Sequence, residues 1–346
     1  QKEKIKTIGI VGPNADSRAA LVGNYHGTAS RYCTIQEGIQ DYLGAGGSDV
    51  RVLASVGCDL FRDRTEHLAL TQDRLAEAQI VADNSDVVIL CVGLDETLEG
   101  EEGDTGNSYA SGDKETLQLP QVQLDLMEAM AQSGKPVVLC LMAGSDIDLS
   151  YAEEHFDAVM VLWYPGAEGG KAAARILFGD VSPSGKLPVT FYNTLEELPD
   201  FTDYAMKGRT YRYMENEALY PFGYGLSYTT FSFENLRLSA SEIHEDESLE
   251  VLLDVTNTGS RAGATVAQIY VDDHYTSVVR PIMELKGFQR VELEAGETKT
   301  LHFTLGFDEL RLLDASYHWV VEPGDFTVLA GANAGDLPLR ADFRVV

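Results

Sequence analysis

The stretch Val88-Ile-Leu-Cys-Val-Gly-Leu-Asp-Glu-Thr-Leu-Glu-Gly-Glu-Glu-Gly-Asp104 decides the fold. Its first half is continuously apolar and rich in β-branched residues, the pattern of a short strand buried on both faces. The strand runs directly into a loop that carries Asp95, Glu96, Glu99, Glu101, Glu102 and Asp104, with no lysine or arginine before Lys114. Crowded carboxylates repel one another, which favours a proton on at least one of them. A carboxylic acid protonated near neutral pH is what a general acid requires. Open α/β sheets also receive their ligands at the carboxyl ends of strands, where this loop falls. The same residues equally suit a solvated acidic loop or a weak calcium site.

Outward from this strand, apolar runs alternate with helical spacings over the first two hundred residues. Ile5 to Val11, Val50 to Val56, Val87 to Val92, Val137 to Met142, Ala158 to Leu162 and Leu187 to Phe191 read as strands. His67 to Asn84, Gln121 to Gln132 and Gly169 to Phe178 read as helices. This alternation predicts an α/β sandwich, a mainly parallel sheet with helices on both faces, over residues 1–200. From residue 232 to 346 the helices stop. Alternating runs such as Leu249 to Val255, Val266 to Val271 and Thr298 to Thr304, with turns at Asn257-Thr-Gly259 and Pro323-Gly-Asp325, predict an all-β sandwich. Residues 201–231 form an aromatic, glycine-rich connector between the two. No internal repeat or low-complexity tract is present.

At 346 residues, with 44% hydrophobic and 23% charged residues, the chain has the composition of a globular protein with a substantial core. Its charge is unusual: 55 acidic against 26 basic residues give a net −29, with a pI near 4.4. Such a surface repels phosphate backbones and anionic lipid, which argues against nucleic-acid and membrane partners and suits neutral ligands such as sugars. The longest apolar runs are too short to span a bilayer. The chain opens at Gln1 without methionine, as a processed or excised piece does. A soluble, cytoplasmic protein is favoured over a secreted one, and a homo-oligomer is left open. Cys33, Cys58, Cys91 and Cys140 show no metal-ligand spacing. Cys91 and Cys140 read as core residues, and a Cys33–Cys58 bridge stays open. No cofactor and no metal are expected.

Ile8-Gly-Ile-Val-Gly-Pro-Asn-Ala15 lacks the GxGxxG spacing, and Pro13 removes a backbone donor where phosphate would bind. It is a strand and turn without a nucleotide. No Walker, HExxH or GxSxG motif occurs, and the seven histidines are scattered. In Tyr220-Pro-Phe-Gly-Tyr-Gly-Leu-Ser-Tyr-Thr-Thr-Phe231, the aromatic residues suit a structural clasp between two domains better than a sugar-stacking surface. Glu168, at a helix start, reads as a structural residue rather than a functional one.

Taken together, these pieces resemble one family. The ordered set is Ile8 to Asn14, Val92-Gly-Leu-Asp95 with Glu99-Gly-Glu101, Trp163-Tyr-Pro-Gly-Ala-Glu-Gly-Gly170, and Leu177 to Val189. It continues with Arg209-Thr-Tyr-Arg-Tyr213, Tyr220 to Phe231, Val255 to Gly263, Gln268-Ile-Tyr-Val271 and Leu285-Lys-Gly-Phe288. The chain closely resembles the C-terminal half of family 3 glycoside hydrolases, the β-glucosidase and β-xylosidase group. The resemblance implies an α/β sandwich domain followed by a fibronectin-III-like (immunoglobulin-like) sandwich, with an N-terminal barrel domain as missing partner. It further implies a retaining, exo-acting β-glycosidase that hydrolyses terminal non-reducing β-linked sugars, with a β-glucoside or β-xyloside as carbohydrate substrate. The family's aspartate nucleophile lies on the barrel, in a Ser-Asp-Trp-type motif that this sequence does not contain.

The family's acid/base glutamate comes from the α/β domain, commonly in a Glu-x-Glu-x-x-Asp-Arg pattern. Laid on this chain, the pattern falls on Glu99, Glu101 and Asp104. The resemblance therefore implies Glu101 as acid/base, Glu99 as the fallback, and Asp104 as an orienting or pKa-tuning neighbour. Thr105 replaces the arginine of the pattern, and Gly106 to Lys114 resembles an insertion. Without the nucleophile domain, the 346-residue chain alone is expected to be inactive. The rival reading is a non-catalytic carbohydrate-binding or interaction module built on the β-sandwich. An independent α/β hydrolase lacks any nucleophile motif.

Overall fold

The computed structural model describes residues 5–62, 70, 72–101 and 114–346. The chain divides into two compact units, Gln1–Val181 and Ser182–Val346.

The first unit contains, in order, β1 (Thr7–Val11), α1 (Ala19–Val22), α2 (Ile35–Ala45), β2 (Arg51–Ser55), α3 (Asp73–Asp83) and β3 (Val87–Gly93). It continues with α4 (Gln121–Gln132), β4 (Val137–Met142), α5 (Ser150–His155), β5 (Ala158–Val161) and α6 (Gly169–Leu177). The strands form one parallel sheet in the order β2-β1-β3-β4-β5. Side chains alternate across it. Ile8, Ile10, Ile89, Cys91, Cys140 and Met142 pack on one face against Ile35, Ile39 and Leu43 of α2 and Ala173 and Ala174 of α6. Val88, Leu90, Val92, Leu139 and Leu141 point the other way and are all buried. On that face α3 lies against β1 and β2, and α4 against β3. Each fully buried aliphatic side chain here contributes about 1.5–3 kcal/mol of transfer free energy, so both faces must be covered for the strands to read as they do.

Helix α2 is absent from the sequence reading, although its start carries a signal. Thr34 Oγ1 accepts from the Glu37 N–H at 3.2 Å, and the Glu37 carboxylate accepts from the Thr34 N–H at 2.9 Å. This is a reciprocal capping box. The helix read over His67 to Asn84 is seen as α3, with residues 63–69 and 71 outside the described residues. All four cysteines are buried thiols outside any disulfide, so Cys33 and Cys58 form no bridge. Cys91 and Cys140 face each other in register on β3 and β4.

The second unit starts with an irregular segment that includes a 3-10 turn (Leu195–Glu197) and α7 (Thr210–Tyr213). Its strands are β6 (Phe231–Leu238), β7 (Glu242–Ile243), β8 (Leu249–Asn257), β9 (Gly263–Asp273), β10 (Glu284–Leu293) and β11 (Thr298–Leu305). After α8 (Phe307–Leu310) come β12 (Leu312–Leu313), β13 (Trp319–Val320), β14 (Gly324–Gly331) and β15 (Leu339–Val345). Sheets β10-β9-β14-β15-β7 and β11-β8-β6 enclose one core, which includes Val251, Leu253, Val255, Ile269, Phe326, Val328 and Phe343. In β8 burial alternates residue by residue, the period a half-buried strand requires.

Leu187 to Phe191, read as a strand of the parallel sheet, is not one. Leu187 and Phe191 exchange backbone hydrogen bonds with Gly223, Tyr224 and Tyr220, and Phe191–Tyr220 is an isolated antiparallel bridge. Pro188 has no N–H to continue a ladder. The aromatic run folds onto the sandwich. Tyr220 stacks on Tyr224 with centroids 5.2 Å apart, and Phe222 stacks on Tyr211 at 4.5 Å. Buried Gln268 of β9 donates to the Gly223 carbonyl at 3.1 Å. No helix among the described residues is long and apolar enough to cross a membrane.

Candidate active site

The sheet order reverses between β1 and β3, since β2 extends to one side of β1 and β3, β4 and β5 to the other. At such a switch point the loops leaving the carboxyl ends diverge and open a crevice. The acidic loop leaves from this place.

Its exit is fixed by backbone. Gly93 ends β3 at φ +146°, and a Cβ there would lie 1.8 Å from the Met142 carbonyl oxygen, so only glycine fits. Gln123, fully buried on α4, accepts from the Gly93 N–H and donates to the Gly93 carbonyl, both at 2.8 Å. It also donates to the Leu60 carbonyl at 2.6 Å. Leu94 donates its N–H to the Met142 carbonyl at 2.7 Å, while its carbonyl accepts from Asn14 Nδ2 at 3.0 Å. The turn after the β1 strand is thereby tied to the start of the acidic loop.

The next carboxylate builds the turn. Asp95 is buried, and its Oδ1 accepts from the Thr97 N–H at 2.9 Å and the Thr97 hydroxyl at 2.6 Å. Its carbonyl accepts from the N–H groups of Leu98 and Glu99 at 3.0 and 2.9 Å. This is the aspartate turn that a short polar side chain makes with its own backbone. Leu98, fully buried, anchors the far side.

Glu99 points back over the sheet edge. Oε2 accepts from the Gly144 N–H at 2.6 Å and from the Tyr164 hydroxyl, and Oε1 accepts from the Ser145 hydroxyl. Burial, reinforced by the charge of Glu99, pushes the Tyr164 phenol far up, so it remains a donor. Lys114 donates to the Asp146 carbonyl at 2.7 Å, and burial pulls its ammonium down against the opposing charges of Glu99 and Asp146. Glu101, two residues on, is exposed, and its Oε1 accepts from the Tyr25 hydroxyl. Glu96 faces His26, with Nε2 to Oε2 at 3.5 Å.

The four described carboxylates Asp95, Glu96, Glu99 and Glu101 thus each take a separate donor. Two build and anchor the loop, and Glu101 stands at its exposed end. Asp104 and Glu102 lie outside the described residues. Glu168 precedes α6 without capping it and pairs with Lys171 instead. Among the described residues no group of three or more His, Cys, Asp or Glu is arranged to hold a metal ion.

Tyr25, Ser145 and Tyr164 were not legible as site residues. Gly144-Ser145 and Trp163-Tyr164 follow the apolar runs of β4 and β5, and the rule that ligands gather at carboxyl ends could have selected them. Tyr25 sits in irregular chain and carries no such signal.

The matches to known proteins agree with the fold. Residues 2–228 match the glycosyl hydrolase family 3 C-terminal domain, and residues 265–334 match the fibronectin type III-like domain. The chain belongs to glycosyl hydrolase family 3 and consists of its C-terminal α/β domain followed by a fibronectin-III-like sandwich. A β-xylosidase of Formosa agariphila is 36% identical over 342 residues, covering 96% of this chain and 45% of that protein. A periplasmic β-glucosidase of Salmonella typhimurium is 34% identical over 359 residues, with the same coverage of 96% and 45%. The solved structure of a β-glucosidase from Erythrobacter marinus superposes with a TM-score of 0.87 at 34% identity, covering all of this chain and 47% of that one. The chain therefore spans about half the length of the relatives it matches.

Proposed function

We propose that this chain supplies the general acid/base of a retaining, exo-acting β-glycosidase, with Glu101 as that residue. The observation that carries the reading is the contrast between Glu99 and Glu101. Glu99 is held by three donors from the ends of β4 and β5, an anchored group with no freedom to follow a proton. Glu101 is exposed at the end of the same rigid turn, where a substrate oxygen can reach it. In the first step Glu101 protonates the leaving oxygen, and in the second it deprotonates the attacking water. Retention requires a second carboxylate about 5–5.5 Å away as nucleophile. That group belongs to a barrel domain outside these 346 residues. Family relatives named β-xylosidase and β-glucosidase support terminal β-xylosides or β-glucosides as substrates.

In the full-length gene product, Glu101→Ala is expected to lower turnover by about 10²–10⁴-fold on glycosides with poor leaving groups. Activated aryl glycosides should lose much less in kcat/KM, and added azide should restore part of the kcat lost in the water step. The same signature from Glu99→Ala, with Glu101→Ala unaffected, would move the role to Glu99. The 346-residue chain alone should not hydrolyse aryl β-glycosides. Turnover by the pure chain that Glu101→Gln abolishes would refute the shared site.

A further inference from the structure

The irregular segment between α1 and α2 carries two side chains that reach the acidic loop. Tyr25 donates its hydroxyl to Glu101, and His26 faces Glu96 at 3.5 Å. Tyr25 is 81% exposed, so core packing does not account for its placement. It also sits at φ +54°, a left-handed conformation disfavoured for a residue with a side chain. Strain of this kind clusters at functional positions.

The segment is held from behind. The Gly166 N–H donates to the Leu21 carbonyl at 2.7 Å, Cys33 donates to Ala167 at 2.8 Å, and Gly170 donates to Cys33 at 2.9 Å. Both ends of the segment are thus tied to the turn that leads into α6. Between them the Tyr164 ring sits against two glycines. A Cβ on Gly23 would lie 2.4 Å from Tyr164 Cδ2, and one on Gly144 would lie 2.9 Å from Cε2. Tyr164 therefore holds Glu99 through its hydroxyl and seats the backbone just before Tyr25 through its ring. The two glutamates are set by one connected arrangement that runs through Tyr164, Gly23 and Tyr25.

We propose that Tyr25 is the positioning residue for the Glu101 carboxyl, holding Oε1 through its phenol hydroxyl while the carboxyl acts as acid and then base. The proposal rests on the assignment of Glu101 made above. With a donor on Oε1, the proton that passes to the leaving oxygen is carried on Oε2. In the second step Oε2 takes a proton back from the attacking water, and the carboxyl returns to its starting form.

The test uses the full-length gene product and two β-glycosides, one with a dinitrophenol leaving group and one with an alkyl alcohol. Tyr25→Phe removes only the hydroxyl from an exposed side chain, and Glu101→Gln serves as the reference. Loss of one hydrogen bond to a charged group should lower kcat/KM on the alkyl glycoside about tenfold. On the dinitrophenyl glycoside kcat/KM should stay within about twofold, because an activated leaving group needs little protonation. A purely structural effect would lower both kcat/KM values together. The proposal is overturned if Glu101→Gln shows the leaving-group dependence and Tyr25→Phe does not. If Glu101→Gln shows no such dependence, the assignment of Glu101 falls and the proposal with it.

Discussion

Two glutamates separated by one glycine end in different chemistry because of what each side chain meets. Glu99 meets a backbone N–H and two hydroxyls, whereas Glu101 meets the Tyr25 phenol at the surface. Elsewhere a single carboxyl sets a pH dependence of stability. Burial pushes Asp273, at the end of β9, up from 3.8 to about 6, and Glu322 and Asp272 add to the shift while Arg280 and His274 oppose it. The folded state therefore binds this proton more tightly than the unfolded chain does. The stability it contributes is complete below pH 3.8 and is lost as pH rises through about 6. Asp273→Asn keeps the neutral form at every pH. Its stability should exceed that of the parent by about 1 kcal/mol near pH 8, after allowance for solvent screening. The gain should vanish near pH 3.8. Thermal melts across this range check the sign, and a larger gain at acid pH would contradict it.

At the scale of elements, α2 and α6 approach until their backbones touch. A Cβ on Gly38 of α2 would lie 2.1 Å from the Gly170 carbonyl oxygen, whereas one on Gly44 of the same helix would meet nothing within 4 Å. Gly38→Ala should therefore cost about 1–3 kcal/mol through overpacking. Gly44→Ala should be neutral or stabilise by up to about 1 kcal/mol through helix propensity. Urea midpoints at constant slope compare the two directly, and equal effects would contradict the close approach. The acidic loop depends on the same packing, because the segment that carries Tyr25 runs from α1 into α2 and is tied to the turn before α6.

For the whole molecule, a net charge of −29 over 346 residues means that compaction brings like charges together. Salt screens this repulsion over a Debye length of about 10 Å at 0.1 M. The melting temperature should rise as sodium chloride goes from about 0.01 M to about 0.2 M. A flat or falling profile would mean that the ion pairs present, such as Arg344–Asp325 at 2.7 Å, outweigh the general repulsion.

Strand periods and turn residues were readable because they are local. β-Branched apolar runs bury both faces in the first unit, and alternation buries one face in the second, so α/β sandwich and β-sandwich could be told apart from the chain alone. The acidic loop with Glu99 and Glu101 was readable for the same reason, as a run of carboxylates behind a buried strand. Leu187 to Phe191 misled because a short apolar run looks the same whether it joins a sheet or folds onto one, and Pro188 decided against the sheet. The partners of the carboxylates were not readable. Gly144, Ser145, Tyr164 and Tyr25 lie between 45 and 76 residues from the glutamates they hold, and Tyr25 reaches its glutamate through a strained turn. The pattern of the sequence determined which groups could carry a proton. The order of the strands, which sets their carboxyl ends side by side, decided which donors each group would meet.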